Sequence, residues 1–231
     1  MSDIPTKLVP LIFEQIRKET EAEWYPPRTV GTFRASEVGY CPRAIQYAIL
    51  GHPRALPEPV LSLLFRDGHM HQNQLVNIIS STGLVVSNRE QVGYKEYEVD
   101  GIKFGVTGHC DLLLEGKYVV DTKSCSTWAY KYLTRDYIKE KYLGYLYQLQ
   151  FYIDMYEKDW GCLLFKDKNT SNLREFWYQK NPELLQEALQ KLAKIHKAVI
   201  TNKMIKRPYE KSSTECKRCN MRQHCWGTTE D

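Results

Sequence analysis

The chain has 231 residues, 42% hydrophobic and 26% charged, with a formal net charge of +4. That length is enough for one large domain, or a domain with a small appendage, around a real core; no apolar run approaches the ~18 residues of a membrane span, and the composition is that of a soluble globular protein. Seven cysteines, in a chain without the basic and apolar regions of a secretory signal, read as cytoplasmic thiols that ligate metal or pack in a core rather than form disulfides.

Residues 7–23 carry Leu8, Leu11, Ile12 and Ile16 at helical spacing. Pro26-Pro27 mark residues 24–31 as a connector. Residues 33–50 read as a short extended piece and then a helix that begins near Pro42 and stops at Gly51. After the proline-rich loop 52–59, residues 60–82 form a long helical pattern, interrupted by Gly68 and ended by Gly83. Residues 84–121 read as a run of strands, with a hairpin at Asp100-Gly101 and a second turn around Glu115-Gly116. Helices are expected over 128–137 and 143–158, and strands over 161–165 and 173–178. Asn181 and Pro182 begin a helix whose Leu185, Leu189, Leu192, Ile195 and Val199 share a face. A cysteine-rich tail follows Pro208. Helices, a strand-rich centre, then helix, strands, helix and tail suit an α/β fold, a mixed sheet flanked by helices.

Chemistry concentrates in Gly108-His109-Cys110-Asp111 and Asp121-Thr122-Lys123. Phosphodiester hydrolysis calls for a hard cation that polarises the phosphate and acidifies a water, and magnesium or manganese takes carboxylate oxygens. A nearby ammonium neutralises charge building on the phosphate. Strand alternation places Asp121 and Lys123 on one face. A three-residue loop, Glu115-Gly116-Lys117, would set Asp111 opposite Asp121, and a two-residue loop would send it to the other face. The metal-site reading therefore expects the odd-length loop. The ordinary alternative is that acids at strand ends are solvated and Lys123 is simply exposed.

The order Gly-x-x-Asp, apolar strand, Asp-x-Lys, then Gln148 and Tyr152 one helical turn apart resembles the PD-(D/E)XK nucleases, specifically their RecB-like branch. The resemblance implies a restriction-endonuclease-like core. In it, Asp111 and Asp121 are metal ligands and Thr122 lends its backbone carbonyl. Lys123 orients water or stabilises the phosphorane, and Gln148 and Tyr152 position the substrate strand. His71, followed by a helical run, completes the metal shell, with His69 as its competitor and Gln72 standing where an acid is expected.

Cys216-x-x-Cys219 and Cys225 cannot complete a four-thiolate site, and Cys41, before Pro42-Arg43, is the natural fourth ligand. One cysteine before the core and three after it resembles the CRISPR-associated RecB-like exonucleases, which implies a structural [4Fe–4S] cluster formed by both ends of the chain. A structural zinc with His224 as a ligand is the alternative. Cys110, Cys125 and Cys162 read as small buried apolar residues.

Three segments follow: 1–59, helical and supplying one cluster cysteine; 60–180, the nuclease core; 181–231, the last helix and the cysteine-rich region. Basic residues from Lys191 to Arg218 outnumber acids, and Trp128, Tyr130, Lys131 and Arg135 belong to an aromatic and basic stretch suited to phosphates and unpaired bases. The resemblance implies a metal-dependent exonuclease on single-stranded DNA ends, with DNA and possible CRISPR-adaptation or other DNA-processing proteins as partners. An endonuclease using the same site and a non-catalytic nucleic-acid-binding adaptor are the alternatives.

Overall fold

The computed structural model describes residues 8–22, 29–87, 89 and 92–227. The first helix, α1 (Leu8–Ala22), matches the expected one; Lys7, Glu23 and residues 24–28 of the expected connector lie outside the described residues. A short strand, β1 (Thr32–Arg34), and a 3-10 turn (Ala35–Glu37) precede α2 (Pro42–Ile49), which has Pro42 in its first turn. Next comes α3 (Pro59–Ser80), which runs through Gly68 unbroken. A glycine costs a helix about 1 kcal/mol, and 22 residues carrying buried Leu75 and Val76 absorb that.

Two sheets form the centre. β2 (Val86–Ser87), β5 (Leu112–Leu114), β6 (Tyr118–Cys125), β7 (Trp160–Asp167) and β8 (Leu173–Gln179) make five strands in the order β2-β5-β6-β7-β8. The other sheet is β1-β4-β3, with β3 (Val92–Val99) and β4 (Ile102–His109) joined at Asp100-Gly101. Among the described residues only β6–β7 and β1–β4 are parallel pairs. The β6–β7 crossover holds α4 (Thr127–Lys131), α5 (Arg135–Lys141) and α6 (Leu143–Met155). α7 (Pro182–Ile200), capped by the Asn181 side chain, and two short helices, α8 (Thr214–Lys217) and α9 (Arg222–Trp226), complete the chain.

The expected helix over 128–137 is two helices. Ser126 accepts from the Ala129 amide to start α4, and Thr134 accepts from the Tyr137 amide to start α5. Between them Leu133 turns into the core, 2% exposed. Two N-caps eight residues apart restart the helix, because each satisfies a separate set of free amides. The main core draws on α6 (Leu149, Phe151, Ile153), α7 (Leu192, Ile195), the strands (Val119, Leu163, Phe165) and the N-terminal Phe33, Ala35 and Ile45. Val76 of α3 packs on the opposite face of the five-stranded sheet with Leu112, Val120 and Cys162. β6 is therefore covered on both faces at the level of Asp121. No helix among the described residues is long and apolar enough to cross a membrane.

Candidate active site

The loop between β5 and β6 has the odd length the metal reading requires. Leu114 pairs with Tyr118, Leu113 with Val119 and Leu112 with Val120, so the register, continued one step, sets Asp111 opposite Asp121. Glu115 and Gly116 both adopt positive φ (53° and 62°), and the Lys117 amide closes on the Leu114 carbonyl at 3.0 Å. Gly116 supplies one of these left-handed positions without strain. Asp111 itself lies in the bend where the chain leaves the three-stranded sheet at His109 and enters the five-stranded sheet at Leu112.

Its carboxylate turns over the strand end. Asp111 Oδ2 accepts from the Thr122 amide at 2.5 Å and the Thr122 hydroxyl at 2.6 Å, and Oδ1 accepts from Gln72 Nε2 at 2.8 Å. Asp121 Oδ2 lies 2.7 Å from Lys123 Nζ. That contact is an ion pair without hydrogen-bond geometry, so this buried oxygen has no hydrogen-bond partner. Lys123 Nζ donates to Gln148 Oε1 at 3.1 Å, Gln148 Nε2 donates to the Tyr152 hydroxyl at 2.8 Å, and Nζ stands 4.7 Å from the centre of the Tyr145 ring. The Gly-x-x-Asp glycine has a steric reason: a β-carbon on Gly108 would stand 2.6 Å from the Tyr152 ring.

Burial, and then the neighbouring Asp121, push the Asp111 carboxyl up to about 7, against the pull of the Thr122 hydrogen bonds and Lys123. Burial likewise raises Asp121, with Lys123 opposing. Burial works against the Lys123 charge, but Asp121 and Asp111 outweigh it and hold the ammonium above its ordinary value. Two carboxylates and one ammonium leave a net negative charge in a buried place. A proton or a cation relieves it.

His71 is not gathered into this group. Its Nδ1 faces Lys166 Nζ at 3.2 Å, Lys166 also bonds Gln74, and burial, then Lys166, lower the imidazole pKa. His69 is exposed on α3. Gln72, the neighbour of His71, is the α3 residue that touches Asp111. No three His, Cys, Asp or Glu side chains among the described residues converge on a single ion position. Tyr145 could have been found from spacing, since it lies one helical turn before Gln148; nothing in the sequence singles out Lys166.

Of the aromatic and basic stretch, Trp128 is 66% exposed and lies 5.2 Å from the Tyr132 ring, and Lys131 is exposed. Tyr130 is covered by the Arg174 guanidinium, and Arg135 lies over the Tyr178 ring. Trp128, Lys131 and Arg135 are therefore exposed, Arg135 while lying over Tyr178, and Tyr130 is half-buried under Arg174.

Cys41, Cys216, Cys219 and Cys225 line one small cavity of about 20 Å³, together with Arg43, Arg207, Arg222 and Glu215. All four thiols are free. Burial raises the Cys219 thiol, and Cys41, Cys216 and Cys225 each push it the same way, so the four lie within electrostatic reach of one another. Cys110, Cys125 and Cys162 are buried, and burial pushes Cys110 and Cys162 up to about 12 and Cys125 to about 11. Neutral thiols of this kind behave as small apolar residues.

Residues 49–226 match the family model described as the PD-(D/E)XK nuclease superfamily. No curated protein matches the chain. Among solved structures, SSO0001 is similar at a TM-score of 0.59 and 16% identity, covering 97% of this chain and 98% of that one. A phage related exonuclease from Haemophilus somnus 129PT is similar at 0.52 and 17%, covering 74% and 96%. The alkaline exonuclease LHK-Exo from Laribacter hongkongensis is similar at 0.51 and 13%, covering 80% and 93%. At these identities the likeness is one of fold.

Proposed function

Because the chain belongs to the PD-(D/E)XK nuclease superfamily, we propose that it is a divalent-metal-dependent exonuclease of the RecB-like branch. It hydrolyses phosphodiester bonds at single-stranded DNA ends and carries a structural [4Fe–4S] cluster. The observation that carries this reading is the buried Asp111–Asp121–Lys123 group, two carboxylates against one ammonium that is ion-paired to Asp121 Oδ2. Two of the fold's solved neighbours are exonucleases.

Magnesium or manganese bound here would supply Lewis-acid polarisation of the phosphate and an acidified water. Asp111, Asp121 and the Thr122 carbonyl form the protein's share of its shell. Two carboxylates suffice for magnesium, which keeps several waters. His71 joins only if its ring leaves Lys166. Lys123 orients the water or neutralises the phosphate, and Gln148, itself bonded to Tyr152, holds the ammonium in place. Gln72 and the Thr122 hydroxyl orient Asp111.

The four free cysteines around one cavity support a four-iron cluster, and three arginines against Glu215 in the lining suit the cluster's negative charge. A single zinc would need the thiolates to converge on one point at Zn–S distances of ~2.3 Å, so a metal assay separates the two. In this reading residues 60–180 hold the nuclease core, and 1–59 with 181–231 hold the cluster.

Anaerobically purified protein is expected to contain iron and to digest end-labelled linear single-stranded DNA with magnesium or manganese, EDTA stopping it. Circular single-stranded DNA should survive. Equal cutting of circles would make it an endonuclease, and DNA binding without cleavage under either metal would make it an adaptor.

The acid pair also sets a pH dependence. Asp111 has an ordinary pKa of 3.8 and a folded value of about 7, so the folded state holds the extra proton between those values. Metal-free stability should therefore fall as pH rises from about 4 to about 7. A cation must displace that proton, at about 1.4 kcal/mol per pH unit below 7. Thermal unfolding at fixed magnesium is expected to show a larger metal-induced rise in Tm at pH 8 than at pH 6. Equal rises would mean that Asp111 does not hold the ion.

A further inference from the structure

The approach to Lys123 is bordered by a residue that the chemistry above leaves unused. The turn after Ala35–Glu37 presses Gly39 against Gly144 at the start of α6. A β-carbon on Gly39 would stand 2.8 Å from Gly144 Cα, and one on Gly144 would stand 2.7 Å from Gly39 Cα. Only two glycines allow backbones to meet so closely. The residue after each is a tyrosine, so this contact fixes Tyr40 and Tyr145 relative to each other.

Tyr145 is the inner ring, under the Lys123 ammonium and stacked on Tyr142 at 5.2 Å. Tyr40 is the outer one. It is 63% exposed, and its side chain makes no hydrogen bond or ring contact among the described residues. Burial raises its pKa, Tyr145 and Glu37 add to the rise and Lys123 opposes it, so Tyr40 stands in the electrostatic neighbourhood of the lysine.

We propose that Tyr40 is the stacking platform for the unpaired base of the nucleotide whose phosphate is held at Lys123, which makes the site selective for single-stranded ends. An exposed aromatic face close to a phosphate-binding ammonium accepts any base, because every base has a π-face. A paired terminal base is held by its partner strand and must unpair before it can swing onto the ring, a cost that an unpaired base does not carry. The inference rests on the nuclease reading, and its test separates the two.

The probe is a single-stranded oligonucleotide with 2-aminopurine at its end, mixed with protein and calcium in place of magnesium. Wild type and Tyr40→Phe should quench the fluorescence on binding. Tyr40→Ala should lose the quench and, with magnesium, show KM on single-stranded DNA raised roughly 5- to 150-fold, as expected for ~1–3 kcal/mol of stacking. Its kcat and unfolding temperature should stay close to wild type, since the ring is exposed. A Tyr40→Ala variant that keeps both quench and KM overturns the platform alone, as does a wild type that cleaves without quenching. A wild type that neither binds nor cleaves overturns the nuclease reading, and the platform with it.

Discussion

Asp121→Asn and Lys123→Met together should abolish DNA hydrolysis yet leave the protein folded, whereas Lys123→Met alone should destabilise it by about 3–5 kcal/mol. The contrast follows from burial. Asp121 is 2% exposed and the Lys123 side chain 16%, so each charge depends on the other. Removing the ammonium strands two carboxylates among Val119, Leu163 and Phe165 of the same core, and the loss should be worse at pH 8 than at pH 6, where Asp111 is protonated. Removing the pair removes the need for either charge, and such replacements are often neutral. Loss of activity has a different origin. An ammonium aimed at developing phosphate charge is worth about 10²–10³ in rate, and losing Asp121 as a ligand compounds it. Circular dichroism and urea unfolding of both variants, beside end-labelled digestion, check the pattern. A folded double variant that still digests DNA would remove these residues from the chemistry.

The second large effect is expected from Cys216→Ser. Few apolar groups hold the tail to α2: Met221 is buried against Tyr47 and Ala48, and one buried methionine is worth about 1.5–3 kcal/mol. Among the described residues the polar ties include the Tyr47 hydroxyl on the His224 carbonyl, the His224 ring on the Pro53 carbonyl and the Ala55 amide on the Asn220 carbonyl. A structural metal supplies far more, about 10–16 kcal/mol for zinc in small domains. Losing even 5 kcal/mol of that kind lowers Tm by roughly 10–20 °C in a chain of this size. Cys216→Ser should therefore lose iron, unfold at a markedly lower temperature and be cut by protease within residues 208–227, while Cys162→Ala changes far less. An iron-free wild type as stable as the loaded form would remove the cluster from the fold's energetics.

Much of this site is legible in the sequence because it depends on short-range periodicity. The odd loop at Gly116 follows from strand alternation, and the Gln148–Tyr152 pair from one helical turn; both are local. Asp-x-Lys reads as a strand end but lies mid-strand, since β6 continues to Cys125. His71 shows where local rules stop. Adjacent residues on a helix point about 100° apart, and the rotation of α3 against β6 is set by Val76, Leu112, Val120 and Cys162 packing together. That packing gives Asp111 to Gln72 and leaves His71 with Lys166. The break at Leu133 was signalled by Ser126 and Thr134, but two caps are easily read as one helix when the apolar pattern runs through both. The Gly39–Gly144 contact joins residues more than a hundred positions apart, and no single-sequence pattern announces it.

Asp111 stands on the step between two sheets, and Asp121 stands wholly within one of them. The gap between the two acids is thus a property of a seam rather than of a strand. Magnesium needs oxygens at about 2.0–2.1 Å and calcium at about 2.3–2.6 Å, a difference smaller than many core repackings produce. In the proposed metal site, core residues of the adjoining strands, such as Val106 of β4 and Leu113 of β5, would therefore help set the gap that selects the ion.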